Sequence, residues 1–289
     1  MRPRTTSELT TLTISSLVTL RAGAEHLEIE TTLDHHAEDF RLRLLLPVDV
    51  PLATTWHAHH PFDLVERPIA GDRSTDNWQE ADLAEKPFLH LQSVSHGQRG
   101  LAFLSGGGLH EGGVADDQRR TMQVTLLRSF RSTIATGGEP DGLEPGRLTW
   151  RYGLLPFAGP LPRHRALSLV AELQTGLTTR QSGARPSGYL PLPASGVTTR
   201  SYLAQLDHQL IVSAIKPAED GQGLIVRLWN PSDEVRSERL RLDRPITHAR
   251  VVSLAEEPLI TALLPLIDGQ QCTISAPPRG IVSVYLRCG

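Results

Sequence analysis

Apolar and polar residues alternate with a period of two along most of the chain, which is typical of half-buried β-strands. Residues 27–33 and 40–46 are two such runs, and the polar segment 34–39 between them is interpreted as a hairpin connection. Further alternating runs, bounded by Gly, Pro or charged residues, cover 101–104, 122–127 and 148–154. The pattern predicts an all-β fold.

One segment departs from this alternation. Between residues 163 and 173, Ala166, Leu169, Val170 and Leu173 fall at helical spacing, which predicts a single α-helix.

A shift in composition marks a predicted domain boundary. From residue 175 to 196 the chain is rich in Thr, Ser, Gly and Pro, and alternation then resumes. We predict a first domain at 1–180, a linker at 181–196 and a smaller antiparallel β-sandwich at 197–289. The strands of this second domain are predicted at 209–215, 223–230, 236–242, 249–254 and 280–287.

The composition indicates a folded protein and limits the classes of molecule that it is expected to bind. Hydrophobic residues make up 39% and charged residues 21% of the 289 residues, which is a globular composition. The formal net charge is −3, and Lys and Arg are scattered among Asp and Glu, so nucleic acid is not an expected partner. Aromatic residues are scarce at 5%, which weakens the hypothesis of a lectin that stacks sugars on an aromatic platform.

The low cysteine content and a start that does not resemble a secretory signal favour a reduced, cytoplasmic protein. The two cysteines, Cys272 and Cys288, can form neither a disulfide framework nor a cysteine zinc site; whether they pair stays open. The basic start, Met1 to Arg4, is followed by a Thr- and Ser-rich stretch without the apolar core of a secretory signal. No apolar run is long enough to span a bilayer, so no membrane association is expected.

A histidine cluster is the first candidate for chemistry. In the segment 56–60, His57 and His59 would point to one face of an extended strand, a spacing that two metal-ligating imidazoles can use. A catalytic zinc needs three protein ligands, and no third ligand is identified. Solvated or edge histidines are the favoured interpretation, with a metal site as the weaker alternative.

Asp63 and Glu66 are the second candidate, because a glycosidase uses two carboxyl groups about 5 to 9 Å apart. A three-residue spacing on a strand places these carboxylates on opposite faces, so a structural role is favoured.

The glycine-rich segment 105–113 is the third candidate. It lacks the Lys-Ser or Lys-Thr pair of a phosphate loop. It is interpreted either as a long hairpin connection or as a loop that approaches a ligand.

Several segments in order resemble the C-terminal region of glycoside hydrolase family 38, the α-mannosidase and mannosylglycerate hydrolase family. Pro61-Phe-Asp-Leu-Val-Glu-Arg-Pro68 is similar to the family's Pro-Phe-Gly-x-x-Glu-Arg-Pro. The other segments that carry the resemblance are 94–104, which contains Gly-Leu-Ala-Phe-Leu, then 125–129, 152–156 and 214–232.

The resemblance implies a mutarotase-like β supersandwich followed by a small antiparallel β-sandwich. In the family, the zinc ligands and the catalytic carboxylates belong to an N-terminal α/β barrel and its adjoining helices. No catalytic or metal-binding residue is therefore carried over, no cofactor is expected in this chain, and zinc is expected only in the catalytic domain. The partners implied are that catalytic domain or subunit, a mannose-containing sugar, and self-association through the surface that the barrel would cover.

The family places the loop after the Gly-Leu-Ala-x-Leu strand on the active-site side. Gly107, Leu109, His110 and Glu111 are therefore candidates for the rim of a sugar pocket. Family members from eukaryotes often have Asn-Asp-Arg in this loop, whereas this chain has Ser105-Gly106-Gly107, so a direct arginine contact is lost. The alternatives are a stand-alone mutarotase-like epimerase, which needs a convergent His acid and Glu base, and a lectin-like module.

Overall fold

The computed structural model describes residues 10–72, 74, 77–78, 82–108, 110–131, 139–175, 201–260 and 265–289. The chain divides into two compact units, Met1–Gln174 and Thr175–Gly289. The predicted linker at 181–196 lies outside the described residues.

The first unit is a sandwich of two antiparallel sheets. The larger sheet has seven strands in the order β1-β2-β11-β8-β7-β4-β5, and the smaller has four in the order β3-β10-β9-β6. Its strands are β1 (Thr13–Thr19), β2 (Leu27–His35), β3 (Phe40–Leu46), β4 (Thr55–His60), β5 (Asp63–Pro68), β6 (Lys86–Phe88), β7 (Leu91–His96), β8 (Arg99–Ser105), β9 (His110–Val114), β10 (Met122–Ser129) and β11 (Gly146–Phe157).

The core of this unit lies between the inner faces of the two sheets. Trp56 and Phe103 from the larger sheet pack in one buried cluster with Phe88, Met122 and Val124 from the smaller sheet. The apolar positions of the alternating sequence are therefore the side chains on the inner face of each strand. Burial of these large side chains stabilises the packing of the two sheets.

The helix α1 (Arg163–Thr175) agrees with the predicted helix. It buries Ala166, Leu169 and Val170, three of the four residues whose spacing predicted it. Gly153 in β11 lies beneath the end of α1, where an added Cβ would stand 3.2 Å from the Leu173 side chain.

The predicted hairpin at 34–39 is wrong. The strand before it, β2, pairs with β1 and β11 in the larger sheet, whereas the strand after it, β3, pairs with β10 in the smaller sheet. The segment crosses from one sheet to the other. Alternation shows which side chains face inward, but it does not show which strand is the hydrogen-bonded neighbour.

The second unit is a smaller antiparallel sandwich of two four-stranded sheets, in the orders β12-β15-β18-β17 and β13-β14-β19-β16. Its core includes Leu228, Leu240, Ile274 and Val284. The strands are β12 (Leu203–Gln205), β13 (Ile211–Pro217), β14 (Leu224–Trp229), β15 (Arg236–Leu242), β16 (Ile246–Val252), β17 (Leu266–Asp268), β18 (Gln271–Ala276) and β19 (Ile281–Cys288). The two units confirm the predicted fold class.

The edge strand β1 extends the inner face of the larger sheet beyond the area that the smaller sheet covers. Ile14 pairs with Leu33 and Val18 with Ile29, so all four side chains point to the same side. Leu33 is fully buried, but Ile14 is 48% and Val18 56% exposed. The smaller sheet has only four strands against seven, and it does not cover β1. We call Ile14, Val18 and their strand the β1 overhang.

Within the described residues, no helix has both the length and the apolar character needed to cross a membrane.

Candidate functional site

A cleft of about 600 Å³ opens in the first unit beside the glycine-rich segment. A smaller cavity of about 210 Å³ adjoins it and shares Gly107, His110, Leu126 and Trp150 with it. The other residues that line the larger cleft are Glu85, Pro87, Gly108, Glu111, Thr125, Leu127 and Arg128. The structure thus brings Gly107, His110 and Glu111 together, and Leu109 lies outside the described residues.

A long hairpin, which was one of the two interpretations of the glycine-rich segment, is wrong. The strand β8 belongs to the larger sheet and β9 to the smaller one, so the connection between them crosses the sandwich. The N–H of Gly106 donates to the carbonyl of Arg151 at 2.9 Å, and an added Cβ on Gly106 would also stand 2.9 Å from that oxygen. A glycine is needed there because the two backbones approach so closely.

His110 is held by neighbours on several sides. Its Nε2 lies 2.5 Å from the Ser105 hydroxyl, and its ring stacks on Phe88 with centroids 5.4 Å apart. Burial lowers the pKa of His110 below its ordinary value, although a hydrogen bond with the backbone of Thr125 acts in the opposite direction. The imidazole is therefore neutral at pH 7 and serves as a fixed polar wall of the cleft.

Glu111 belongs to a charge cluster on the rim of the cleft. Its carboxylate lies 3.3 Å from Arg128 and 3.9 Å from Arg41. Glu85 joins the same cluster through Arg41 at 3.3 Å and Arg43 at 2.6 Å. Three guanidinium groups thus share two carboxylates, which fixes the side chains and leaves a net positive charge.

An apolar wall completes the cleft. The pairing of β10 with β3 shifts register between Thr125 and Leu127, so Leu126 is an extra, bulged residue. Leu126 and Trp150 line both the cleft and the smaller cavity, and both also pack against the core. Sequence reasoning placed Trp150 on an alternating strand but did not connect it with the loop, and the bulge has no sequence signal that we can identify.

The candidate metal ligands lie elsewhere on the first unit. His57 and His59 share the face of β4 opposite the buried Trp56 and Ala58, so the predicted geometry is present. The His59 ring stands 5.7 Å from the His90 ring, and burial, followed by the charges of His90 and His60, lowers the pKa of His59 to about 4. The described part of the chain contains no group of three His, Cys, Asp or Glu side chains that could hold a metal ion.

Asp63 and Glu66 make structural contacts. Asp63 accepts a hydrogen bond from the Leu64 N–H at 2.8 Å, and Glu66 accepts one from the Thr55 hydroxyl at 2.6 Å. Both carboxylates stabilise the hairpin of β4 and β5.

Cys272 and Cys288 are both free thiols. Burial raises the pKa of Cys272 to about 11 and also raises that of Cys288, so both are poor nucleophiles at neutral pH.

The fold and the site together define a large β-sandwich with a cleft at one glycine-rich connection, followed by a small β-sandwich. Two family models match this arrangement: the glycosyl hydrolases family 38 C-terminal domain over residues 4–141, and the family's C-terminal beta sandwich domain over residues 209–284. The chain therefore belongs to glycosyl hydrolase family 38, of which it contains C-terminal domains.

Individual relatives agree with this membership. The chain is 29% identical over 233 residues to a putative mannosylglycerate hydrolase of Halalkalibacterium halodurans, a match that covers 78% of this chain and 24% of that relative. Its fold is similar to an α-mannosidase from Enterococcus faecalis V583, with a TM-score of 0.77 and 22% identity over 97% of this chain and 29% of that one. A second Enterococcus faecalis structure, a protein in glycosyl hydrolase family 38, gives a TM-score of 0.72 and 23% identity over 95% of this chain and 29% of that chain. The chain thus spans about a quarter of the length of the relatives that it matches.

Proposed function

We propose that this chain is the non-catalytic C-terminal β portion of an α-mannosidase-type glycoside hydrolase, and that it supports and docks the catalytic domain. Both matching family models describe C-terminal domains, and the relatives are more than three times as long as the chain. The partner in this proposal is the catalytic α/β domain that precedes these domains in the family.

The β1 overhang is the observation that carries the docking role. An apolar inner face that its own unit leaves uncovered is unfavourable in water, because burial of such surface stabilises a protein by about 25 cal/mol per Å². Contacts between domains typically bury about 600 to 1,500 Å², and β1 would form part of such a contact. The exposed apolar side chains on this inner face are Ile14 and Val18, whereas Leu17, which pairs with Glu30, is exposed on the opposite face.

We also propose that the cleft forms part of the rim of a pocket for a mannose-containing sugar. Trp150 and Leu126 offer an apolar surface to the carbon face of a sugar ring. His110 and Glu111 offer polar groups to its hydroxyls, and both are already fixed by their neighbours. The catalytic domain supplies the rest of the pocket, because a cleft this open cannot enclose a sugar alone.

Catalysis in this proposal belongs to the partner. The family's zinc and carboxylates lie in its N-terminal domain, and the described residues of this chain do not form a zinc site. We expect no hydrolysis of an aryl α-mannoside by the purified chain, with or without added zinc. Zinc-dependent turnover that is lost in the double variant His57→Gln and His59→Gln would overturn this assignment.

Sedimentation velocity over a range of protein concentrations tests the docking surface. We expect the isolated chain to self-associate through the β1 overhang, because no catalytic domain covers it. Ile14→Glu and Val18→Glu should shift the chain to monomer. Ser15→Glu is the matched control, since it adds the same charge to the opposite face of the strand. A wild-type chain that stays monomeric at every concentration would contradict the docking proposal.

The geometry does not favour the stand-alone epimerase. That activity needs a His acid and a Glu base that converge on one substrate, whereas the His110 ring is bonded to Ser105 and Thr125. Glu111 is paired with arginines. The cleft offers one large aromatic wall, Trp150, instead of the exposed aromatic platform that a lectin needs.

A further inference from the structure

The outer face of one sheet in the second unit carries a groove of about 610 Å³. It runs along β19 and the edge strand β16, on the side opposite the core residues Val284 and Leu286. Its lining includes Asp220, His248, Arg250, Tyr285 and Arg287.

Tyr285 forms the floor of the groove and is only 5% exposed. The turn between β13 and β14 packs on its ring, because an added Cβ on Gly223 would stand 2.7 Å from the ring carbon Cζ. Burial, followed by a hydrogen bond to the Asp220 carboxylate, raises the pKa of the Tyr285 hydroxyl. Asp220 is therefore already engaged by the floor of the groove.

An arginine and a histidine lie beside this floor. The guanidinium of Arg250 lies over the Tyr285 ring, 4.6 Å from its centroid, and His248 stands with its ring 6.2 Å from that of Tyr285. Arg250 is opposite Tyr285 in the strand pairing, and His248 is opposite Arg287. The two arginines are thus diagonal neighbours on adjacent strands.

Arg250 has an unsatisfied polar atom at this place. Its Nε is buried and has no hydrogen-bond partner among the described residues. A buried donor without an acceptor destabilises the fold, and like charges on neighbouring strands add to this effect. Stacking on Tyr285 holds the guanidinium in place without supplying the missing acceptor.

We propose that this groove binds an oxyanion of a small molecule, a carboxylate or phosphate ester group, between Arg250 and Arg287 above the Tyr285 ring. An oxyanion supplies acceptors for guanidinium N–H groups and a second countercharge for the two arginines, beside that of Asp220, which the Tyr285 hydroxyl already engages. Guanidinium groups are suited to this task because their N–H groups match carboxylate and phosphate oxygens in pairs. The site is separate from the cleft at His110 and is independent of the function proposed above.

The test is an NMR titration of the full chain that follows the ¹H–¹⁵N signal of the arginine Nε groups. Inorganic phosphate and lactate are added separately at constant pH and ionic strength, with chloride as the reference salt. We expect the Arg250 Nε signal to shift and saturate with at least one of the two oxyanions but not with chloride. Tighter binding of phosphate would identify a phosphate ester as the ligand class, and tighter binding of lactate would identify a carboxylate.

Charge variants complete the test. Arg287→Gln should weaken binding by ~10-fold, the loss expected when one charge-assisted pair is removed. Arg279→Gln is the matched control, because it removes an arginine of the same unit that is paired with Asp233 at 2.6 Å outside the groove. A response to phosphate and lactate no different from that to chloride, or equal weakening by the two variants, would overturn the proposal.

Discussion

The buried carboxylate of Glu238 accepts a hydrogen bond of 2.8 Å from the backbone N–H of Gln209. Glu238 is fully buried in β15, at a position where the alternation of the strand points inward. Four further backbone N–H groups donate to the same carboxylate, namely those of Leu206, Asp207, His208 and Leu210. One side chain thus holds the whole connection between β12 and β13.

Replacing this carboxylate tests its role. Glu238→Gln should lower the free energy of unfolding by about 3 kcal/mol, because the new NH₂ group faces backbone donors and leaves some of them unsatisfied. Urea unfolding followed by circular dichroism measures the change. Glu234→Gln is the control and should cost less than about 0.5 kcal/mol, since Glu234 is a surface partner of Arg236. Equal losses in the two variants would contradict the proposed role of Glu238.

Two glycines near the cleft should lose very different amounts of stability on substitution by alanine. An added Cβ on Gly112 would stand 2.3 Å from the Gln92 side-chain oxygen and 2.6 Å from the Gln123 carbonyl, whereas Gly108 has no neighbour within 4 Å. Gly112→Ala should therefore destabilise the first unit by about 3 kcal/mol or more, and Gly108→Ala by less than about 0.5 kcal/mol. Thermal unfolding of the two variants measures the contrast. Similar melting temperatures would show that the backbone of β9 can shift to accommodate the added Cβ without loss of stability.

Stability should depend on the protonation of His59. Its pKa is lowered from 6.5 to about 4 in the fold, so the unfolded chain binds more protons between these two pH values. The free energy of unfolding therefore rises with pH through this window, and the contribution is lost as pH falls from 6.5 towards 4.

Urea unfolding of His59→Gln at pH 5 and pH 7 isolates this contribution. The free energy of unfolding should differ between pH 7 and pH 5 by about 1 kcal/mol less in the variant than in the wild type. This figure is smaller than the full pKa shift implies, because the ring is partly exposed to solvent. The control is His96→Gln, which changes an exposed side chain at the end of β7. If His59→Gln keeps the wild-type pH dependence, burial of the neutral imidazole does not contribute.

The composition of residues 181–196 predicts where a protease cuts first. Limited proteolysis with a protease of broad specificity should give two resistant fragments of about two-thirds and one-third of the chain, because Ser-, Gly- and Pro-rich linkers are preferred cleavage sites. Mass spectrometry of the fragments gives the cut positions. First cleavage inside either sandwich, with 181–196 left intact, would contradict the predicted domain boundary.

Much of the fold follows from the sequence because burial and alternation are local. The inward positions of β2, β3 and β11, the helix α1, and the order of a larger and a smaller sandwich were all predicted from periodicity and resemblance. The partners of each strand were not predicted. The predicted hairpin at 34–39 crosses between sheets, and so does 105–113, for which a long hairpin was one of two interpretations. Pairing depends on contacts distant in the sequence, which periodicity does not encode.

The candidate site was predictable only at its loop. Resemblance indicated Gly107, His110 and Glu111, which share one cleft. Trp150 and Leu126 were not connected with them, because their proximity arises from a bulge in β10 and from the position of β11 in a different sheet. The pairing register of strands that are distant in the sequence determines which residues line such a site, and a single sequence carries little information about that register.

The uncovered side chains of β1 also bear on how the isolated chain behaves during folding. An edge strand with exposed apolar side chains can pair with other exposed strands, and such pairing leads to aggregation. In an enzyme whose catalytic domain is made first, that domain can receive β1 as it leaves the ribosome. Soluble recombinant yield of the isolated chain should therefore rise in Ile14→Glu and Val18→Glu, which makes solubility screening a practical assay for the surface.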